Sequence, residues 1–240
     1  MAHGRGTAMN QMLLGKEQIQ DNLDTLAQLV DQQQLDLLAL QELDIDSFWA
    51  GGFDQAQWLL GKTAFNCAAL GMHAETWFYR FGTALLSSIQ LHQARSLSFD
   101  PTPPSTTKGL VAARIHWLHL GESMPVLVIS VHLDFSRKSV RERQLANIIQ
   151  TVASSPLPII LMGDFNEQWQ EEDSVVRQLV EQADLHAYEP ASTVHPTYKA
   201  KRLDWILLSD DFEITSYSTA MDAVSDHRLV VAEIRWRDPQ

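Results

Sequence analysis

Five short apolar runs in this chain stop at polar groups, and that pattern limits the possible folds more than any other feature. "LLAL" runs into Gln41-Glu42, "VLVISV" into His132-Leu133-Asp134, and "IILMG" into Asp164-Phe165-Asn166. In "RLDWILL" Asp204 enters an apolar run, and Ser225-Asp226-His227 stand just before "RLVVAEI". Short apolar runs bounded by polar residues read as strands buried on both faces. A buried carboxylate is costly unless it is paired or bound to a metal. Several of them at strand ends therefore point to one shared cleft, where they satisfy each other or a cation.

Helical spacing marks the segments between. Ile19, Leu23, Leu26 and Val30 form a stripe over 16–34, and Val140, Leu145, Ile148 and Ile149 form one over 136–155. A further helix is expected over 172–183. Strands are expected at 35–42, 81–88, 109–117, 124–134, 157–164, 202–209, 212–220 and 228–236, with a turn at 121–123 and a loop at 99–109. Strands and helices alternate early, and strands dominate the end. This predicts a layered α/β domain with helices outside strands.

Composition narrows the function. With 45% apolar and 20% charged residues in 240, a packed core is expected. Lys and Arg number 18 against 30 Asp and Glu, a formal net charge of −12, which argues against tight non-specific binding of duplex nucleic acid. It leaves room for a phosphate substrate held through a metal. No apolar run is long enough to span a membrane, so no stable membrane insertion is expected. Cys67 is the single cysteine, and the opening residues lack the apolar core of a secretory signal; both suit a cytoplasmic protein.

Taken alone, each polar group has an ordinary explanation. Glu42 suits a solvated strand end, Asp164-Phe165-Asn166 a turn, Ser225-Asp226 a helix cap and His132 a satisfied core histidine. Taken together they suggest chemistry. Glu42 and Asp226 are hard oxygen ligands suited to Mg²⁺ or Mn²⁺. His132 and His227 can donate to phosphate or carry protons, and Asp204 can orient a histidine.

The segments "LALQELD", "GTALLSS", "SVHLD", "RERQ", "MGDFNE", "LDWILLS" and "SDHRLVVAEI", in this order and separation, resemble the endonuclease/exonuclease/phosphatase superfamily of metal-dependent phosphoesterases. The resemblance implies a four-layer α/β sandwich, two packed mixed sheets flanked by helices. It implies that Glu42 and Asp226 bind the metal, Asp164 activates or orients the attacking water, and Asn166 orients phosphate and nucleophile. His227 and His132 would contact the scissile phosphate, with Asp204 bonded to His227. The family's usual first strand, which carries an asparagine in a Thr-x-Asn-type segment, has no counterpart before "AHGRG", and Asn10 lies in the wrong context to replace it. The expectation is one domain over 1–240 without that strand. Arg141 and Gln144 are expected to support the fold more than the chemistry.

The implied activity is Mg²⁺-dependent hydrolysis of a phosphate ester, most simply a phosphodiester, by in-line attack of water. A catalytically inactive binding member of the same fold and a nuclease acting on DNA or RNA are the alternatives. A small molecule, a lipid head group and nucleic acid all remain open as substrates, as does the oligomeric state. The aromatics of 46–58 and Trp169 read first as packing and second as a pocket or lipid contact; Lys199, Lys201 and Arg202 form a basic cluster near the proposed site.

Overall fold

A computed structural model describes residues 2–6, 8, 14–220 and 225–237; Asn10 lies outside them. The chain begins with a short 3-10 turn, Ala2–Gly4, followed by α1 (Lys16–Gln32), β1 (Leu37–Asp44) and α2 (Gln55–Leu60). Next come β2 (Cys67–Glu75), β3 (Arg80–Ser87), β4 (His92–Ser98), β5 (Gly109–His119) and β6 (Glu122–His132). The second half holds α3 (Lys138–Ala153), β7 (Ile159–Asp164), α4 (Val175–Ala183), β8 (Leu185–Ala187), β9 (Asp204–Ser209), β10 (Phe212–Thr219) and β11 (Val230–Trp236).

The strands form a three-stranded sheet, β1-β3-β2, a six-stranded sheet, β4-β5-β6-β7-β9-β8, and the β10-β11 hairpin. All ladders are antiparallel except β6–β7, which is parallel and makes the larger sheet mixed. Successive residues of a strand face opposite sides, and here both sides are covered. On β6, Val126 and Val128 point into the layer between the sheets, whereas Leu127, Ile129 and Val131 point toward α3 and α4. On β7 and β9 the same division separates Ile160, Ile206 and Leu208 from Leu161 and Leu207. Helix α1 lays Ile19, Leu23, Leu26, Ala27 and Val30 on Leu38 and Leu40 of β1 and Ala84 and Leu86 of β3. Three apolar layers thus separate helix, sheet, sheet and helix. This is the four-layer sandwich expected from the sequence, and the unbroken apolar runs follow from burial on both faces. Each fully buried Leu or Ile contributes roughly 1.5–3 kcal/mol to that packing.

Four elements left no clear trace in the sequence. β2 is rich in Ala and Gly, which pack weakly on a pleated surface. β4 is exposed along all seven residues, so it has no buried face to produce alternation. α2 and β8, of six and three residues, are too short for a period to register. No helix among the described residues is long and apolar enough to cross a membrane.

Gly163 fixes how β7 lies against β6. Its φ is +149°, and a Cβ there would stand 2.0 Å from the carbonyl oxygen of Val131. Gly163→Ala must therefore push the two central strands apart. We expect a stability loss of about 3 kcal/mol or more, read by urea unfolding.

Candidate active site

The central register aligns the polar strand ends. Gly109 pairs with His132, His132 with Asp164, and Asp164 with Asp204. Lys108, one residue before β5, extends this row. The sandwich thus brings His132, Asp164 and Asp204 together from positions up to 72 residues apart. His227 joins them from the segment before β11, with Nδ1 2.7 Å from Asp204 Oδ2. Ligand atoms of Asp164, Asp204 and His227 lie within 4.8 Å of one another. His132 Nε2 stands 3.5 Å from Asp164 Oδ2.

Asp164 and Asn166 meet in a way the extended strand did not suggest. Asn166 has φ +52°, so the chain turns after Phe165 and does not continue flat. Its backbone N–H donates to Asp164 Oδ1 at 2.8 Å, and its amide Nδ2 donates to Asp164 Oδ2 at 3.1 Å and to the Leu133 carbonyl at 3.0 Å. This is an Asx-type turn, favoured by the short polar side chain of Asp. Phe165 is fully buried in the core between sheet and helices.

A buried ion pair holds the loop that follows. Arg141 Nε is 2.5 Å from Glu167 Oε2, and its Nη1 donates to the Asp134 carbonyl at 3.1 Å. Gln144 Oε1 accepts from the Asp134 N–H at 2.9 Å. Arg141 and Gln144 therefore brace the loops after β6 and β7.

Glu42 reaches the site by a different device. β1 carries a bulge between Gln41 and Leu43, which pair with Thr83 and Gly82 and leave Glu42 without a ladder partner. With φ +55° its side chain leaves the pleat, an effect typical of bulges beside sites. Its carboxylate oxygens lie 3.4 Å from Lys108 Nζ and 3.7 Å from His3 Nε2. Asp226, exposed, is instead bound by Arg5, with Nη2 2.6 Å from Oδ2. No direct contact joins Glu42 to Asp226 among the described residues. The N-terminal turn serves both, His3 touching Glu42 and Arg5 touching Asp226.

His3, Arg5 and Lys108 were not foreseen. They come from segments legible only as loops, with no periodicity to mark them. His3 is buried, with Nδ1 2.5 Å from Asp44 Oδ2 and its ring edge-on to Phe81. Among the basic cluster, Arg202 is committed to structure: its guanidinium lies over Trp205 and Tyr217, and Nη1 donates to the carbonyls of Tyr188 and Glu189. Lys199 and Lys201 are exposed. Trp49 stacks on Tyr79, Trp58 packs edge-on to Phe53, and Trp169 packs against the core. These tryptophans serve packing; Phe48 is exposed.

Charge within the cluster is set by burial and close neighbours. Burial pushes the Asp164 carboxyl up to about 7, and the Asp204 charge adds to this; His227 and the Asn166 N–H oppose it. Burial would lower His227, but the hydrogen bond and charge of Asp204 outweigh it and raise the imidazole to about 9. His132 goes the other way: burial and the Lys108 charge hold it well below the ordinary histidine range, so it stays neutral. Burial also works against an ionised Glu42, but charge on His3 and Lys108 prevails and holds it well below the carboxylate range. At neutral pH the site therefore offers an ionised Glu42, an Asp164 carboxyl pushed toward neutrality, a cationic His227 and a neutral His132.

The chain matches the model of the Endonuclease/Exonuclease/phosphatase family over residues 15–227. No curated protein sequence matches it. Among solved structures it is similar to an endonuclease/exonuclease/phosphatase from Beutenbergia cavernae, with TM-score 0.75 and 17% identity over 89% of this chain and 66% of that one. It is also similar to a mannosyl-6-phosphatase from Bacteroides thetaiotaomicron, with TM-score 0.69 and 15% identity over 90% of this chain and 91% of that one. The human Nocturnin catalytic domain gives TM-score 0.68 and 18% identity over 90% of this chain and 86% of that one. At these identities the likeness establishes the fold.

The His227–Asp204 pair makes a prediction for the metal-free protein. A histidine raised from 6.5 to about 9 on folding adds stability that is fully present below pH 6.5 and lost as pH rises through 9. NMR titration should find the His227 ring protonated at pH 8. Asp204→Asn should bring its midpoint below 6.5, since burial then prevails.

Proposed function

The chain belongs to the Endonuclease/Exonuclease/phosphatase family, and from that premise we propose that it hydrolyses a phosphate ester, most simply a phosphodiester, by in-line attack of water. The family is one of metal-dependent phosphoesterases and nucleases. One observation carries the reading: the adjacent strand ends align His132, Asp164 and Asp204, with His227 hydrogen-bonded to Asp204.

The residues suit a hard divalent cation, taken here as Mg²⁺ or Mn²⁺. Their carboxylate oxygens are the donors such ions prefer, and Glu42 is kept ionised by its neighbours. Glu42 and Asp226 are the residues that would hold the cation, Asp226 being paired with Arg5 in its absence. A bound cation supplies charge to a phosphoryl oxygen. Asp164 takes a proton from the attacking water or aligns it, and a carboxyl near 7 is poised for this at neutral pH. Asn166 fixes the Asp164 carboxylate through its two hydrogen bonds and orients the reactants. His227, cationic and anchored by Asp204, donates to a non-bridging oxygen, and neutral His132 donates to a second. A cytoplasmic setting is proposed on the single Cys67.

The test is turnover of bis(p-nitrophenyl) phosphate. Activity should vanish with EDTA and return with Mg²⁺ or Mn²⁺. Asp164→Ala and His227→Ala should each lose about 100-fold or more; losses within about tenfold would remove these residues from the mechanism. A well-folded protein with no turnover on this ester, on DNA, on RNA or on small phosphomonoesters would favour a non-catalytic binding role, which the Arg5–Asp226 pair also suits.

The pH profile gives a second check. Activity should rise as Asp164 ionises, at or below pH 7 because a cation nearby favours the carboxylate, and fall as His227 deprotonates near 9.

A further inference from the structure

Two loops at the site end of the sandwich display aromatic rings that the fold does not bury. The turn between β2 and β3 is closed by Thr76. Its N–H donates to the Tyr79 carbonyl at 2.8 Å, and its hydroxyl accepts from the Phe78 and Tyr79 N–H groups. The loop after β1 is fastened to this turn. The Phe48 N–H donates to the Phe78 carbonyl at 3.0 Å, and the Arg80 N–H donates to the Ser47 hydroxyl at 2.9 Å. So held, Phe48 is 79% exposed and Trp77 97% exposed. Tight turns favour small polar residues, so a Trp at this tip has no local conformational reason.

The exposed rings are continuous with the candidate site. Trp77 meets Phe78 at 5.6 Å between ring centroids, Phe78 meets Trp49 at 5.7 Å, and Trp49 meets His3 at 5.3 Å. His3 Nε2 stands 3.7 Å from Glu42. Phe48 joins the row through Phe78, at 6.2 Å. Phe135, 65% exposed, adds another apolar tip from the loop that follows His132 at the end of β6. Of the charged residues on the first two loops, Asp46, Asp54 and Glu75 are acidic and Arg80 is basic. The wall is therefore aromatic and slightly acidic, with nothing to hold a polyanion.

We propose that this aromatic wall seats the protein on the interface of a zwitterionic phospholipid bilayer, with the Glu42 side of the site toward the head groups. Exposed apolar patches beside a site mark a contact surface. Indole and phenyl rings settle at the head-group level of a membrane, where one end is apolar and the other wet. Rings that stand almost wholly clear of the protein need a partner that yields around them, as lipid does. A nucleic acid stacked on the same rings would lack basic groups for its phosphates. Anionic lipid meets the same acidic loops, whereas a zwitterionic surface carries no net charge to repel. The contact is peripheral, made by loop tips and not by a membrane-crossing helix. On the phosphoesterase reading, from which this second half follows, the substrate is the phosphodiester of a zwitterionic lipid head group.

The test reads sedimentation with phosphatidylcholine vesicles in EDTA, which separates binding from hydrolysis. The protein should sediment with the vesicles, brominated acyl chains should quench its tryptophan fluorescence, and added phosphatidylserine should not tighten binding. Phe48→Ser and Trp77→Ser should each weaken binding by about tenfold or more. Their melting temperatures should match the parent, since neither ring is buried. No sedimentation, binding that requires phosphatidylserine, binding that survives both substitutions, or burial of Trp77 in a dimer would each overturn the docking surface. Quenching by a single-stranded oligonucleotide with no response to vesicles would overturn it in favour of nucleic acid. With Mg²⁺ the bound vesicles should release phosphocholine. Cleavage of bis(p-nitrophenyl) phosphate but not of the bound lipids would overturn the head-group assignment alone. Vesicle binding without turnover of any ester would support the surface and overturn the phosphoesterase reading.

Discussion

Asp164 and Asp204 are register partners at the ends of neighbouring antiparallel strands, and two carboxylates so placed cannot both remain ionised without positive charge beside them. Much of the site answers that constraint. His227 is drawn onto Asp204 and held protonated, Asp164 is pushed toward neutrality, and His132 stands neutral on its other side. A hard divalent cation would relieve the same repulsion. Burial, with the same repulsion added, keeps the Asp164 carboxyl up at about 7.

The scaffold pays for this with stiff supports outside the cluster. Buried Arg141 and Glu167 form an ion pair that ties α3 to the turn after Asn166. The indole N–H of Trp205 donates to the Glu167 carbonyl, so β9 grips the same turn. Removing one member of such a pair leaves a buried charge alone, which makes the pair a positional constraint more than a source of net stability. At the other wall the N-terminal turn performs an equivalent task, His3 setting Glu42 and Arg5 holding Asp226. The carboxylates proposed for metal binding are thus both contacted by residues of one short segment.

The six-stranded sheet and the smaller sheet differ in completeness. The former runs from β4 to β8, whereas β1-β3-β2 and the β10-β11 hairpin are separate ladders with a cavity of about 750 Å³ between β1 and β11. That cavity borders the candidate site, reaching Gly163, Asp204 and His227.

The apolar runs of β1, β6, β7 and β9 were legible because burial on both faces requires nearly every residue to be apolar, and their polar endings stood out against that background. Helices α1, α3 and α4 were legible from period alone. β2 and β4 were not, since one packs with Ala and Gly and the other buries no face. For the site, residue type and strand-end position singled out Glu42, His132, Asp164, Asn166, Asp204, Asp226 and His227. Tertiary structure alone decided that a bulge turns Glu42 out of its strand, whereas the turn joining Asn166 to Asp164 was already suggested by the residue types. Tertiary structure also decided that Arg5 takes Asp226, and that His3 and Lys108 stand against Glu42. Periodicity and residue chemistry are local properties of the sequence. Strand register, bulges and ion pairs between distant residues arise only when distant segments pack, which is why those features needed the fold.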